Sequence, residues 1–97
     1  MDERFELDGI HFIWNTDKAA ANVRKHGICF EEAAEAFFDP FLRLVDASPE
    51  DESRDAIIGT SENNRLLFVV HIAFEQEYVR IISARRAIRS ERRCYEE

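Results

Sequence analysis

The sequence predicts a single α+β domain: an antiparallel sheet, two N-terminal helices packed on one of its faces, and a short C-terminal helix. Three observations predict it. Runs rich in β-branched and aromatic residues recur at "IHFIWN", "FLRLVD", "RDAIIGT", "RLLFVVHIAF" and "YVRIISARR". Between the first two runs lie two stretches with helical spacing and helix start and stop residues. The last three runs are joined by connections short enough to make them antiparallel neighbours.

Each element has a local reason. Residues 5–7 are expected to pair with Ile10–Asn15 across Asp8-Gly9, a turn dipeptide. Asn15 is the expected N-cap of a helix reading "DKAAANVRKHG", with Asp17 in the first turn and three alanines favouring the helix. Arg24, Lys25 and His26 fall in its last turn, where cations complement the dipole, and Gly27 is the expected C′ residue. His26 is therefore read as a helix end. In the second helix Phe30, Ala33, Ala34, Phe37 and Phe38 form an apolar stripe, with Glu31, Glu32 and Glu35 on the other face. Cys29 takes the N-cap place with Glu32 at N3, and Asp39-Pro40 ends the helix. Residues 41–46 read as a strand and "ASPEDES" as a polar acidic loop. Glu62, Asn63 and Asn64 form a turn, as do residues 75–77. Residues 88–96 read as a short charged helix capped by Ser90. In "RLLFVVHIAF", Leu66, Phe68, Val70, Ile72 and Phe74 alternate onto the face expected to meet the helices. His71 is then expected on the more open face, with the arginines of the next strand placed by a register the sequence does not fix.

Length and charge bound the function. The chain has 97 residues, enough for one compact domain that buries roughly 60–65% of its unfolded surface. No segment approaches the ~20 apolar residues that span a bilayer, and residues 1–15 show no signal-peptide pattern. A cytoplasmic protein with no membrane association is expected, with Cys29 and Cys94 as reduced thiols. The net charge is −7, but it is unevenly spread. Residues 29–62 hold ten acidic groups against Arg43 and Arg54, whereas residues 80–93 hold six arginines against Glu91 alone. Arginine is the better fork for phosphate, so the basic end is a candidate phosphate surface.

No cofactor or metal is expected. His11, His26 and His71 are dispersed, Glu50, Asp51, Glu52 and Asp55 lack the spacing of an EF-hand, and glycine is too scarce for a phosphate-cradling loop. What remains is a strand histidine with arginines on neighbouring strands. A histidine near its ordinary pKa of ~6.5 exchanges a proton near neutrality, and arginines stabilise the charge of a pentavalent phosphorane. If the substrate is RNA, its 2′-OH is the nucleophile and no metal is needed.

The residues also carry a family resemblance. "W-N-x-D-K-x-x-x-N-x-x-K-H-G-I-x-F-E-E-A" spans residues 14–33, followed by "F-x-D-P", then "E-S-R-x-x-x-I-G" from Glu52, "R-L-L-F-V-V-H" from Arg65 and "R-I-I-S-A-R-R-A-x-x-x-E-R-R-x-Y-E-E" from Arg80. This resembles BrnT, the toxin of BrnT–BrnA type II toxin–antitoxin systems, across nearly the whole chain. The resemblance implies a RelE-like fold, a metal-independent endoribonuclease acting on RNA, growth arrest by the free toxin, a BrnA-like antitoxin, and oligomers formed through that antitoxin. Carried over by position, it implies His71, Arg54, Arg80 and Arg85 as catalytic residues, with Glu52 and Lys18 as weaker additions, and Arg65, Arg86 and Arg89 as substrate-binding. The chain departs from the pattern at Ile72-Ala73-Phe74, where Thr-Glu-Arg is usual, at Asn64, where Gly is usual, and at Cys29, where a small hydroxyl is usual. Two other readings compete: a BrnT-like interaction module without catalysis, and a nucleic-acid-binding regulator that uses the arginines without cutting.

Overall fold

Asp8 and Gly9 both adopt positive φ, 49° and 85°, as the two central positions of a tight hairpin turn require. They join β1 (Asp2–Leu7) to β2 (Ile10–Asn15). The structure, a computed structural model, describes residues 1–47, 54–73 and 78–97. The expected acidic loop, most of which spans residues 48–53 and includes Glu52, lies outside the described residues, as do Phe74 and the turn at 75–77.

Helix α1 (Thr16–His26) starts where the Asn15 side chain accepts from the backbone N–H of Asp17 at 2.9 Å and Lys18 at 3.0 Å. It stops at Gly27, whose φ of 71° is the left-handed C-cap that glycine adopts without a Cβ penalty. Helix α2 (Phe30–Ala36) begins with the Cys29 Sγ accepting from Glu32 N–H at 3.4 Å. The capping box is only half made, because the Glu32 carboxylate turns away to Ser61 and Arg65. Strands β3 (Arg43–Asp46), β4 (Asp55–Thr60), β5 (Leu66–Ala73) and β6 (Val79–Arg86) follow, and α3 (Arg89–Glu96) closes the chain. Asn64, with φ 60°, takes the left-handed position of the β4–β5 turn. Ser90 is not the cap of α3. Ile88 holds that place, and its N–H is taken by the Glu91 carboxylate at 2.9 Å.

The six strands lie in the order β1-β2-β6-β5-β4-β3. All neighbours are antiparallel except β2 and β6, which run parallel through Phe12–Val79 and Ile13–Arg80. Helices α1 and α2 cover one face, here the near face, and α3 packs on the far face over β4. The near-face core joins Phe12, Trp14, Ile28, Phe30, Leu67, Val69, Ile81 and the alanines of α2. Burying a side chain such as Phe12 or Phe30 contributes about 1.5–3 kcal/mol.

Strand β5 is turned over relative to the sequence expectation. Leu67, Val69 and His71 face the helices, while Phe68, Val70 and Ile72 face the far side. The reason is that both faces are covered. The alanines at 33, 34 and 36 let α2 sit close to the sheet, so mid-sized side chains fill the near face. Gly59 packs directly on the Ala36 backbone. The bulkier Phe68 instead lies under Arg85 on the side of α3. Apolar residues on both faces remove the contrast from which alternation is read.

One side chain ties these layers together. Asn22, buried in α1, donates to the carbonyls of Ile28 at 2.9 Å and Ala84 at 2.8 Å, and accepts from Ala84 N–H at 3.1 Å. Asn22→Ala would orphan these buried groups, at about 1–3 kcal/mol each where water does not replace the partner. A lowered urea midpoint with an unchanged m-value is expected. Gly59→Ala should also destabilise, because its Cβ would stand 2.5 Å from the Ala36 carbonyl oxygen. Overpacking of this kind typically costs about 1–3 kcal/mol.

Candidate active site

His71 sits near the end of β5, with Asp55 of β4 and Ile81 of β6 as its register partners. It is buried, 5% exposed, with its ring edge-on to Phe37 at 5.0 Å between centroids. The sequence placed it on the open face; it lies under the helix layer instead. Burial pushes its pKa below the ordinary 6.5, more than the Val69 carbonyl and the charge of Asp55 raise it. The imidazole is therefore neutral at pH 7. Its Nδ1 faces the Val69 carbonyl at 3.4 Å, which favours the proton on that nitrogen and leaves the lone pair on Nε2.

Strand direction gathers several groups at this end of the sheet. Asp55 opens β4, Arg54 precedes it, and Asp46 is the register partner of Asp55. Arg80 lies at the start of β6, opposite Ile72. His71 and Arg80 therefore occupy adjacent rows on opposite faces of the same rim. Arg54 is half-buried. Lys18, in the first turn of α1, is exposed, and its backbone N–H donates to the Asn15 side chain.

The remaining arginines separate into distinct settings. Pairing Phe68 with Arg85 and Leu67 with Arg86 puts Arg85 on the far face and Arg86 on the near one, both away from the His71 end. Arg85 is held by Glu91 through two bonds of 2.9 and 2.8 Å and lies 4.5 Å over the Phe68 ring. Arg65 is held by Glu32, which also takes the Ser61 hydroxyl at 2.7 Å. The Arg65 guanidinium keeps the Glu32 carboxyl below the usual carboxylate range. Arg80 meets Asp2 at 2.9 and 3.3 Å. Arg86 and Arg89 are exposed.

Sequence reasoning missed Asp55 as a neighbour of His71, because only cross-strand register reveals it. It also missed Asp39. Burial raises the Asp39 pKa, but donors from Tyr95 at 2.6 Å, Thr60 N–H at 2.7 Å and Phe41 N–H at 2.8 Å outweigh this and lower it. This carboxylate fastens α3 to the sheet. The motif residues Asp39 and Tyr95 were visible in the sequence, but 56 positions separate them. Among the described residues no three His, Cys, Asp or Glu side chains cluster as a metal site.

The buried imidazole fixes a pH dependence. Unfolded, His71 takes a proton near pH ~6.5; folded, it does so only at lower pH. Between those values the unfolded chain holds more protons, so stability is full above ~6.5 and falls as pH drops through the folded pKa. Urea unfolding at pH 7.5, 6.5 and 5.5 should show this loss, and His71→Gln should reduce it.

The model of the BrnT family, the ribonuclease toxin of type II toxin–antitoxin systems, matches residues 14–91. The crystal structure of the Brucella abortus ribonuclease toxin BrnT aligns with a TM-score of 0.62 at 22% identity, covering 78% of this chain and 94% of that one. At that identity the likeness is one of fold. No curated protein matches the chain. The family model spans most of the sequence, and the chain therefore belongs to the BrnT family of ribonuclease toxins from type II toxin–antitoxin systems.

Proposed function

We propose that this chain is an endoribonuclease toxin that cleaves RNA by attack of the substrate's own 2′-hydroxyl, with His71 as the proton acceptor. The observation that carries this reading is a neutral imidazole at the sheet rim, beside Asp55, which Arg54 precedes, in a chain of this family. The His71 Nε2 takes the 2′-hydroxyl proton. The 2′-oxygen then bonds to phosphorus, and the bond to the 5′-oxygen breaks as that oxygen takes a proton from solvent water. Arg54 stabilises the charge on the phosphorane oxygens, and Arg80, on the opposite face of the same rim, holds a neighbouring phosphate of the strand. The Arg80–Asp2 pair is partly exposed, and such pairs are weak, so a phosphate can exchange for the carboxylate. Ala73 stands where the family pattern usually has Glu, and Asp55 is the carboxylate in register with His71. Arg85, engaged with Glu91, acts by holding α3 on the sheet. The reaction needs no metal.

Products should carry a 2′,3′-cyclic phosphate, or its hydrolysis product, and a 5′-hydroxyl, and cleavage should persist in excess chelator. His71→Gln should lose about 10²–10⁴-fold in rate while folding is kept. A base must be unprotonated, so activity should rise with pH through a midpoint below 6.5, following the lowered pKa. His26→Gln, at a helix end, should keep its activity. Wild-type cleavage by His71→Gln would reject this mechanism.

A BrnA-like antitoxin completes the proposal. Arg86, Arg89, Arg92 and Arg93 are exposed around the β6–α3 corner and offer charge complementarity to an acidic segment. Reversing Arg89 and Arg92 to Glu should weaken the toxin–antitoxin complex in calorimetry and leave the free toxin folded. Unchanged affinity would place the interface elsewhere.

A further inference from the structure

Another cluster lies on the far face at the same rim, and the mechanism above does not use most of it. The Arg4 guanidinium sits over the Tyr78 ring at 5.1 Å, and the His11 ring meets Tyr78 at 5.8 Å and 62°. Register continues the surface across four strands: Arg4 is opposite Ile13, Ile13 pairs with Arg80, and Arg80 is opposite Ile72. A flat phenol, an imidazole and two guanidinium groups thus stand on an apolar strip beside the rim that holds His71.

We infer that Tyr78, flanked by Arg4 and His11, is a stacking platform for an unpaired nucleobase of the RNA substrate. Single-stranded RNA is recognised chiefly by stacking its bases on aromatic rings and guanidinium planes. The charge balance favours a base over an acidic peptide. Asp2 and Glu6 share this face with Arg4 and Arg80, so two carboxylates offset the two cations. An acidic segment would meet both carboxylates, whereas an uncharged base stacks without that opposition. Arg4 and His11 also lie outside residues 14–91, which match the family model. The N-terminal hairpin therefore adds to the site something the matched segment lacks. This inference rests on the ribonuclease reading for the identity of the ligand.

The test is fluorescence anisotropy with a fully 2′-O-methylated single-stranded RNA 12-mer, which has no free internal 2′-hydroxyl, alongside cleavage of the unmodified strand. Tyr78→Leu removes the π face and keeps apolar bulk; it should weaken binding about 5- to 150-fold, the range for loss of one stacked base. Tyr78→Phe should bind within about twofold of the wild type. The Tyr78-dependent part should vary little with salt, because it is stacking rather than counterion release. Native-like affinity of a folded Tyr78→Leu overturns the platform and leaves the ribonuclease reading intact. Tyr78-dependent binding without cleavage of unmodified RNA upholds the platform and rejects the ribonuclease reading. Polyglutamate that displaces the RNA, and itself binds in a Tyr78-dependent way, makes the surface a protein dock and overturns the inference. If Tyr78→Leu does not fold, photocrosslinking of 4-thiouridine RNA to the wild-type chain decides. Crosslinks at Tyr78 or His11 support the platform, and crosslinks confined to other segments overturn it.

Discussion

The bonds between Asn22 and Ala84 are the constraint on which the rest of this structure leans. Strand β2 pairs with β6 only through Phe12 and Ile13, then turns into α1. Beyond that point β6 has a neighbour on the β5 side but, among the described residues, no strand partner on the other. A strand lacking a partner there must find other acceptors and donors or remain orphaned in the core. The Asn22 amide gives to and takes from the Ala84 backbone as a strand residue would, and its second donor bond fixes Ile28 at the entry to α2. One amide thus closes the sheet's missing ladder, orients α1 against β6 and sets the angle between two helices. The Lys25-His26-Gly27 turn that follows is the joint this amide braces, which explains why so polar a motif need not be a site.

The placement of charge follows from this frame. A chain with net charge −7 that handles RNA has to manage its own carboxylates. Glu32, Glu91 and Asp2 each hold an arginine, but in different settings. Glu32 is buried and anchors Arg65 under α2; Glu91 is part-buried and anchors α3; Asp2 is partly exposed and holds Arg80 near the rim. The first two pairs are architectural. The third is the kind that exchanges partners, since solvent screens an exposed ion pair. The burial of the carboxylate thus separates arginines held inside the fold from one held at its surface.

Much of this was legible in the sequence because the signals are local. Asn15 fixes its element through a side-chain oxygen that accepts from the next turn, and Gly27 and Asp8-Gly9 through left-handed φ, with no help from distant residues. The family motifs likewise survive as linear spacing. Three things were not legible. The side of β5 on which His71 lies depends on which face receives the alanine-rich α2, and both faces carry apolar residues. The nearness of Asp55 to His71 depends on register. The parity of the β6 arginines depends on one irregular residue. Each of these is a relation between elements, and a pattern read along one element does not contain it.

That irregular residue has a folding consequence. Val70 is opposite Ser83 while His71 is opposite Ile81, so Ile82 is extra and the strand bulges there. The bulge shifts the reading frame of β6, and Arg80 and Arg85, five residues apart, share a face. A chain that smoothed the strand during folding would bring Ser83 to the place of Ala84 opposite Val69, and Arg85 to the core-facing row opposite Leu67. Such a slipped form would bury the Ser83 hydroxyl among the aliphatic side chains of the near face, and would move Arg85 to the place Arg86 holds, away from Phe68 and Glu91. It would also move the Ala84 backbone away from Asn22. The slipped register is thus penalised twice, by desolvation and by a lost pair of hydrogen bonds, and the bulge survives as the less costly arrangement.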